Sequence, residues 1–154
     1  MNIVLCQPQI PPNTGNIARL CVATKTRLHL VRPLGFSTDD AQLKRAGLDY
    51  WQFLEIYYYD DWEHFLRSNP GASMYFFSKK AKRPYTGIGY QDADFLVFGS
   101  ETQGLSQEML ERYSDRLCTI PMWGPTRSLN LSTSVGIALY EALRQVHQGF
   151  SDFY

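Results

Sequence analysis

The stretch Ile120–Glu141, IPMWGPTRSLNLSTSVGIALYE, decides how this chain is read. It joins a short apolar strand to an apolar-striped helix through glycine, proline, arginine, hydroxyls and an asparagine. A loop that only reverses direction needs Gly, Pro, Asn or Asp at one or two positions. Here Arg127, Ser128, Asn130 and Ser132 fall together at a helix start. Such groups can cap the helix, cradle a ligand or form a reaction site. Upstream, Leu117–Ile120 reads as a strand. Downstream, Leu131, Val135, Ala138, Leu139, Ala142, Leu143 and Val146 share one broad face of a helix running from Asn130 to Gln148.

The rest of the chain supplies the setting. Asn2–Gln7, Arg27–Val31, Leu54–Tyr58, Met74–Phe77 and Phe95–Gly99 read as further strands. Helices are expected after an Asn13 or Thr14 cap, from Thr38 to near Gly47, over Asp61–Arg67 with Trp62, Phe65 and Leu66 inward, and from Ser106. Strands that alternate with helices and are apolar enough for burial on both faces predict an α/β fold. The expected architecture is one domain over residues 1–154, a mostly parallel sheet flanked by helices. Ligands of such sheets bind beyond the carboxyl ends of the strands. Three loops with unusual chemistry leave from those ends.

The first loop, QPQIPPNTGNIARL, puts Asn13, Thr14, Gly15 and Asn16 at a helix N-terminus, where free N–H groups favour anions or polar ligands. Arg19 follows one turn later. An ordinary cap with a surface arginine would look the same. The second loop, FGSETQGLS, holds Glu101 between Gly99 and Gly104, and by itself fits a plain β–α turn capped by Ser106. The third is the opening segment, where Arg127 offers a fork for phosphate or carboxylate. G-x-G-x-x-G is absent after every expected strand, as is a P-loop, which removes the main support for a classical dinucleotide site. No Ser–His–Asp set can be read near these loops.

Composition narrows the class. Fifteen basic and fifteen acidic residues balance, so net charge gives no argument for nucleic acid. Locally, Lys79, Lys80, Lys82 and Arg83 form a basic cluster that can contact phosphate, apart from an acidic knot at Asp60, Asp61 and Glu63. Cys6, Cys21 and Cys118 lie in apolar surroundings without paired spacing and read as reduced, buried thiols. Isolated His29, His64 and His147 argue against a metal site. The lack of a membrane-length apolar run or signal-peptide pattern predicts a cytoplasmic protein with no membrane partner.

Together the three loops resemble the SPOUT superfamily of knotted RNA methyltransferases, in its ribose 2′-O-methylating branch. That branch carries N-x-G-N-x-x-R, then G-x-E-x-x-G-L, then I-P-M-x-G-x-x-x-S-L-N-x-S with Y-E on the following helix. Here they stand at Asn13–Arg19, at Gly99–Leu105, and at Ile120–Ser132 with Tyr140–Glu141. PPNTGNIARLC and Arg45–Trp51, RAGLDYW, are similar to the small members that methylate the tRNA wobble nucleotide, cytidine or uridine 34.

The resemblance implies a deep C-terminal trefoil knot, a homodimer, a tRNA substrate and S-adenosylmethionine as methyl donor, with no metal. Carried over by motif position, cofactor contacts fall on Phe77, Gly99, Ile120 and Ser128, with Glu101, Gly104, Met122 and Leu129 nearby. Arg19 is implied as the group that activates the ribose hydroxyl. Guanidinium keeps its proton, so Arg19 is read as orienting the hydroxyl and stabilising a developing oxyanion. Asn130 and Ser132 would position the ribose. Asn13, Arg127, Tyr140 and the Lys79–Arg83 cluster are placed on the RNA side, and exposed tyrosines could add base stacking. Competing readings are methylation of another tRNA or rRNA ribose, a non-catalytic RNA-binding module of this fold, and a small-molecule α/β enzyme.

Overall fold

The computed structural model describes residues 1–37 and 48–151. Among them six strands form one sheet: β1 (Asn2–Cys6), β2 (Arg27–Val31), β3 (Ile56–Tyr59), β4 (Met74–Phe77), β5 (Phe95–Phe98) and β6 (Leu117–Cys118). Their spatial order is β3-β2-β1-β5-β4-β6, with every pairing parallel. Among the described residues four helices flank it: α1 (Pro11–Thr24), α2 (Trp62–Ser68), α3 (Gln107–Arg112) and α4 (Leu131–Val146). The expected α/β architecture is therefore the observed one.

The sheet is buried on both faces because its strands alternate between two apolar layers. Ile3, Leu5, Leu28, Leu30, Leu96 and Phe98 pack under α1 and α4, against Ile17, Cys21, Val135 and Leu139. Val4, Val31, Phe76 and Val97 face α2 and α3, with Phe65, Met109 and Leu110. Burial pushes the thiols of Cys6, Cys21 and Cys118 up to about 12, which keeps them protonated and unreactive.

Several boundaries differ from the sequence reading. β1 stops at Cys6 because Gln7 takes φ 53° and sends its N–H to the Val31 carbonyl at 2.8 Å. β3 starts at Ile56, since Leu48–Phe53 winds into 3-10 turns. β6 is two residues long; beyond it only a bridge between Thr119 and Pro84 continues the pairing. α1 begins at Pro11, earlier than expected, with Ile10 as an N-cap that makes no side-chain bond. Two prolines fit its first turn, where their missing N–H groups have no helical partner anyway. Asn13 and Thr14 thus lie inside the helix, and neither caps it. The helix expected from Thr38 to Gly47 lies outside the described residues, as does the start of the Arg45–Trp51 motif.

His29 is a polar residue in the α2-side layer, 3% exposed. Its Nε2 meets Asn2 Oδ1 at 3.2 Å and its Nδ1 meets the Tyr59 hydroxyl at 2.9 Å. The Asn2 amide nitrogen already donates to the Ala93 carbonyl, so Nε2 carries the proton and Nδ1 accepts. Burial lowers the His29 pKa to about 4. Between pH 6.5 and 4 the unfolded chain takes up a proton that the folded chain does not, so stability falls as pH falls through that window. Unfolding free energy should be about 2 kcal/mol lower at pH 5 than at pH 7 from this group. Urea titrations of the wild type and His29→Gln check this: the substitution should flatten the difference.

Candidate active site

Because all strands run the same way, the loops after β1, β4, β5 and β6 emerge at one end of the sheet. They enclose a cleft of about 370 Å³, within the range of small-ligand sites. Phe77 and Phe98, the last residues of neighbouring β4 and β5, stack with ring centroids 4.6 Å apart and form part of its apolar lining. Leu105, Leu110, Ile120 and Leu129 add to the wall.

The second loop is folded back on itself. Ser100 and Gly104 exchange backbone hydrogen bonds, N–H to carbonyl, at 3.2 and 2.9 Å. Gly104 turns the chain at φ 71°. Gly99 sits directly beneath: a Cβ there would overlap the Gly104 carbonyl and the Leu105 nitrogen. Only glycine permits this backbone crossing.

Glu101 ties the second loop to the first. Its Oε2 accepts the Gln9 N–H at 2.8 Å, while its Oε1 accepts the Ile10 N–H at 3.0 Å and Asn13 Nδ2 at 3.2 Å. The carboxylate thus pins the two residues that lead into α1 and the Asn13 side chain, close to the positive end of that helix. Thr102 Oγ1 reinforces the junction by donating to Gln9 Oε1 at 2.7 Å.

The third loop joins through Asn130, the N-cap of α4. Asn130 Oδ1 accepts Ser132 N–H (2.8 Å), Thr133 N–H (3.3 Å) and Ser132 Oγ–H (2.7 Å). Its Nδ2 is then free to donate to Asn13 Oδ1 at 2.9 Å. Each amide orientation is dictated by the next, in one directed chain from α4 to Glu101. Asn130→Ala removes both the cap and the link to Asn13. We expect a loss of about 2 kcal/mol in urea unfolding, together with weaker ligand binding in the cleft by calorimetry.

The eight residues expected at a cofactor, Phe77, Gly99, Glu101, Gly104, Ile120, Met122, Ser128 and Leu129, all line this cleft. Asn13, Asn130, Lys79 and Lys80 line it too. Asn13, read on the RNA side, is 6% exposed in the cleft wall with its amide engaged at both ends, because α1 begins before it. The basic loop adds a wall that was read only as a phosphate-contacting patch. Lys79 Nζ donates to the Arg127 carbonyl at 3.2 Å and so clips the third loop, while the Arg127 side chain is exposed. Lys82 is exposed outside the cleft, and Arg83 donates to the Gly87 carbonyl at 2.7 Å. Ile10, Ser78, Phe98 and Ser134 also line it and were not singled out. For Phe98 and Ser78 the signal was their place at or just past a strand end.

Three further residues stand apart from the cleft lining, as do Lys82, Arg83 and Arg127. Arg19 is exposed, with its guanidinium 5.2 Å from the Tyr50 ring centroid, outside the cleft. Six residues past Asn13, it is turned roughly 240° around the helix axis. Tyr140 is 50% exposed beside Phe150. Ser132 acts inside the α4 cap. Among the described residues no three His, Cys, Asp or Glu side chains gather as a metal site would require, and no helix is long and apolar enough to cross a membrane.

The model of the SpoU rRNA methylase family matches residues 1–140. The chain belongs to that family. A relative from Methylovorus glucosotrophus, named tRNA (cytidine(34)-2'-O)-methyltransferase, is 48% identical over 145 residues, covering 94% of each chain. A solved structure concerned with 2-OH methylation of C/U34 on tRNA is 45% identical, with a TM-score of 0.90 over 94% of each chain. An AdoMet-bound rRNA methyltransferase from Sinorhizobium meliloti is 28% identical at a TM-score of 0.83, covering 93% of this chain and 55% of that one. The cleft of this SpoU-family chain therefore sits in a fold shared with RNA methyltransferases of more than one substrate.

Proposed function

We propose that the chain is an S-adenosylmethionine-dependent tRNA 2′-O-methyltransferase acting on the ribose of nucleotide 34, cytidine or a modified uridine. The observation that carries the reading is the meeting of the three motif loops in one cleft, cross-linked through Glu101, Asn13 and Asn130. Relatives of matching length named for nucleotide 34 favour that site over another tRNA or rRNA ribose.

The cleft fits the methyl donor. Stacked Phe77 and Phe98 with Ile120 and Leu129 offer apolar walls for an adenine, and the Gly99–Gly104 crossing leaves bare backbone for close approach. Glu101 is occupied by three N–H donors, so its charge belongs to the scaffold. When bound, S-adenosylmethionine would supply an electrophilic methyl group for in-line attack by the ribose 2′-oxygen, with S-adenosylhomocysteine as the leaving group. The protein's share is to hold that oxygen in place, exclude water and stabilise charge growing on it.

Arg19 suits the last task, but stands outside its own chain's cleft. The reading therefore includes a homodimer in which Arg19 serves the cleft of the other copy, and a C-terminal trefoil knot that holds the third loop. The protein works in the cytoplasm, on tRNA drawn by Lys79, Lys80 and Arg127. Calorimetry with S-adenosylhomocysteine tests the cleft: one binding event per chain is expected, and its absence refutes the assignment.

A further inference from the structure

We propose that Trp123 is a base-stacking residue for the tRNA, receiving the base next to the nucleotide whose ribose enters the cleft. This rests on the tRNA reading above and adds a recognition residue to it. The chain has three tryptophans. Trp51 packs against the core and Trp62 is held by Tyr113, its indole N–H donating to the hydroxyl at 3.1 Å. Trp123 is 93% exposed. An indole left in water contributes nothing to packing, and the turn it belongs to needs only Gly124 and Pro125.

Its position says what it is for. Met122, the residue before it, lines the cleft, and Trp123, one residue on, is turned to solvent. The space beside it is open: a Cβ on Gly124 would meet nothing within 4 Å. Lys79 and Lys80 lie on the cleft wall, and Lys79 holds the Arg127 carbonyl, which brings the basic loop against this loop. An aromatic face beside a cationic rim is the arrangement that binds unstacked nucleotides, base on ring and phosphate on cation. A nucleotide that places its ribose in the cleft must leave its stack, and its neighbour's base then loses a partner on one face. Trp123 supplies a replacement that any base can use. A second copy of this chain fits the site poorly, since one ring among lysines, arginine and glycine is far from the continuous apolar area of a stable dimer interface.

The experiment uses full-length protein, an anticodon stem-loop RNA, and Trp123→Ala and Trp123→Phe. RNA should quench the wild-type indole emission, and the Phe variant should lose most of that quench. Trp123→Ala should raise KM for the stem-loop roughly tenfold with kcat changed less than threefold and S-adenosylhomocysteine affinity unaltered, and Phe should restore most of the loss. An unchanged KM for Trp123→Ala overturns the proposal, as does a shift in oligomeric state by sedimentation without any change in KM. Should the wild type fail to methylate tRNA, the functional reading falls on that result, while the quenching arm still decides whether Trp123 meets RNA.

Discussion

Gly99→Ala should abolish S-adenosylhomocysteine binding, with an affinity loss of more than a hundredfold, and destabilise the fold by about 3 kcal/mol or more. The added methyl group falls on the Gly104 carbonyl and the Leu105 nitrogen. These are backbone atoms locked by the paired hydrogen bonds between Ser100 and Gly104, so no side chain can swing away to make room. Relief requires the second loop to lift off β5. That movement withdraws Glu101 from Gln9, Ile10 and Asn13, and through Asn13 it loosens Asn130 and the third loop. One methyl group thereby dismantles three walls of the cleft. Gly104→Ala is a useful contrast: nothing lies within 4 Å of its Cβ, so the penalty is limited to the positive φ, about 1 kcal/mol. Thermal unfolding and calorimetry on both variants would expose the difference. Equal, small effects would mean that the crossing at Gly99 is not what holds the site.

The second large effect falls on turnover. Arg19→Ala is expected to lower kcat by 10²- to 10³-fold, the scale of losing one preorganised donor to a developing oxyanion. Cofactor affinity should stay within about twofold, because Arg19 does not touch the cleft of its own chain. Stability should change little, since the guanidinium is exposed and its ring contact among the described residues is with partly exposed Tyr50. The proposed dimer makes a sharper demand. Co-expressed Arg19→Ala and Gly99→Ala chains, each inactive alone, should form mixed dimers in which one cleft is intact and is served by an intact arginine. Activity should reappear in the mixed preparation; if the mixture stays dead while dimers form, Arg19 acts within one chain or not at all.

Much of this was legible in the sequence, for a physical reason. Strands such as NIVLC and FLVF are apolar on both faces, which only a covered parallel sheet accommodates, and a parallel sheet gathers its strand-end loops at one edge. The residues that line the cleft could be picked out from motifs because the strand-end loops that carry them depend on short local geometry, as at Gly99 and Gly104. What escaped was non-local. That Glu101 pins the entry to α1, or that Asn13 bridges two other loops, follows from contacts across roughly ninety and more residues of sequence. The start of α1 was misjudged because Asn13 and Thr14 are good caps, yet prolines at positions 11 and 12 seat the helix earlier. Arg19 shared a motif with Asn13 but not its face of the helix. Trp123 carried no signal of its own until its exposure next to cleft-lining Met122 was visible.

The nucleotide that receives the methyl group decides the function of this protein. Wild-type protein incubated with labelled S-adenosylmethionine and total tRNA, followed by mapping of the labelled nucleotide, should give 2′-O-methylation at position 34. Label on a base, on a ribose elsewhere in the tRNA, or on none of it would contradict the assignment.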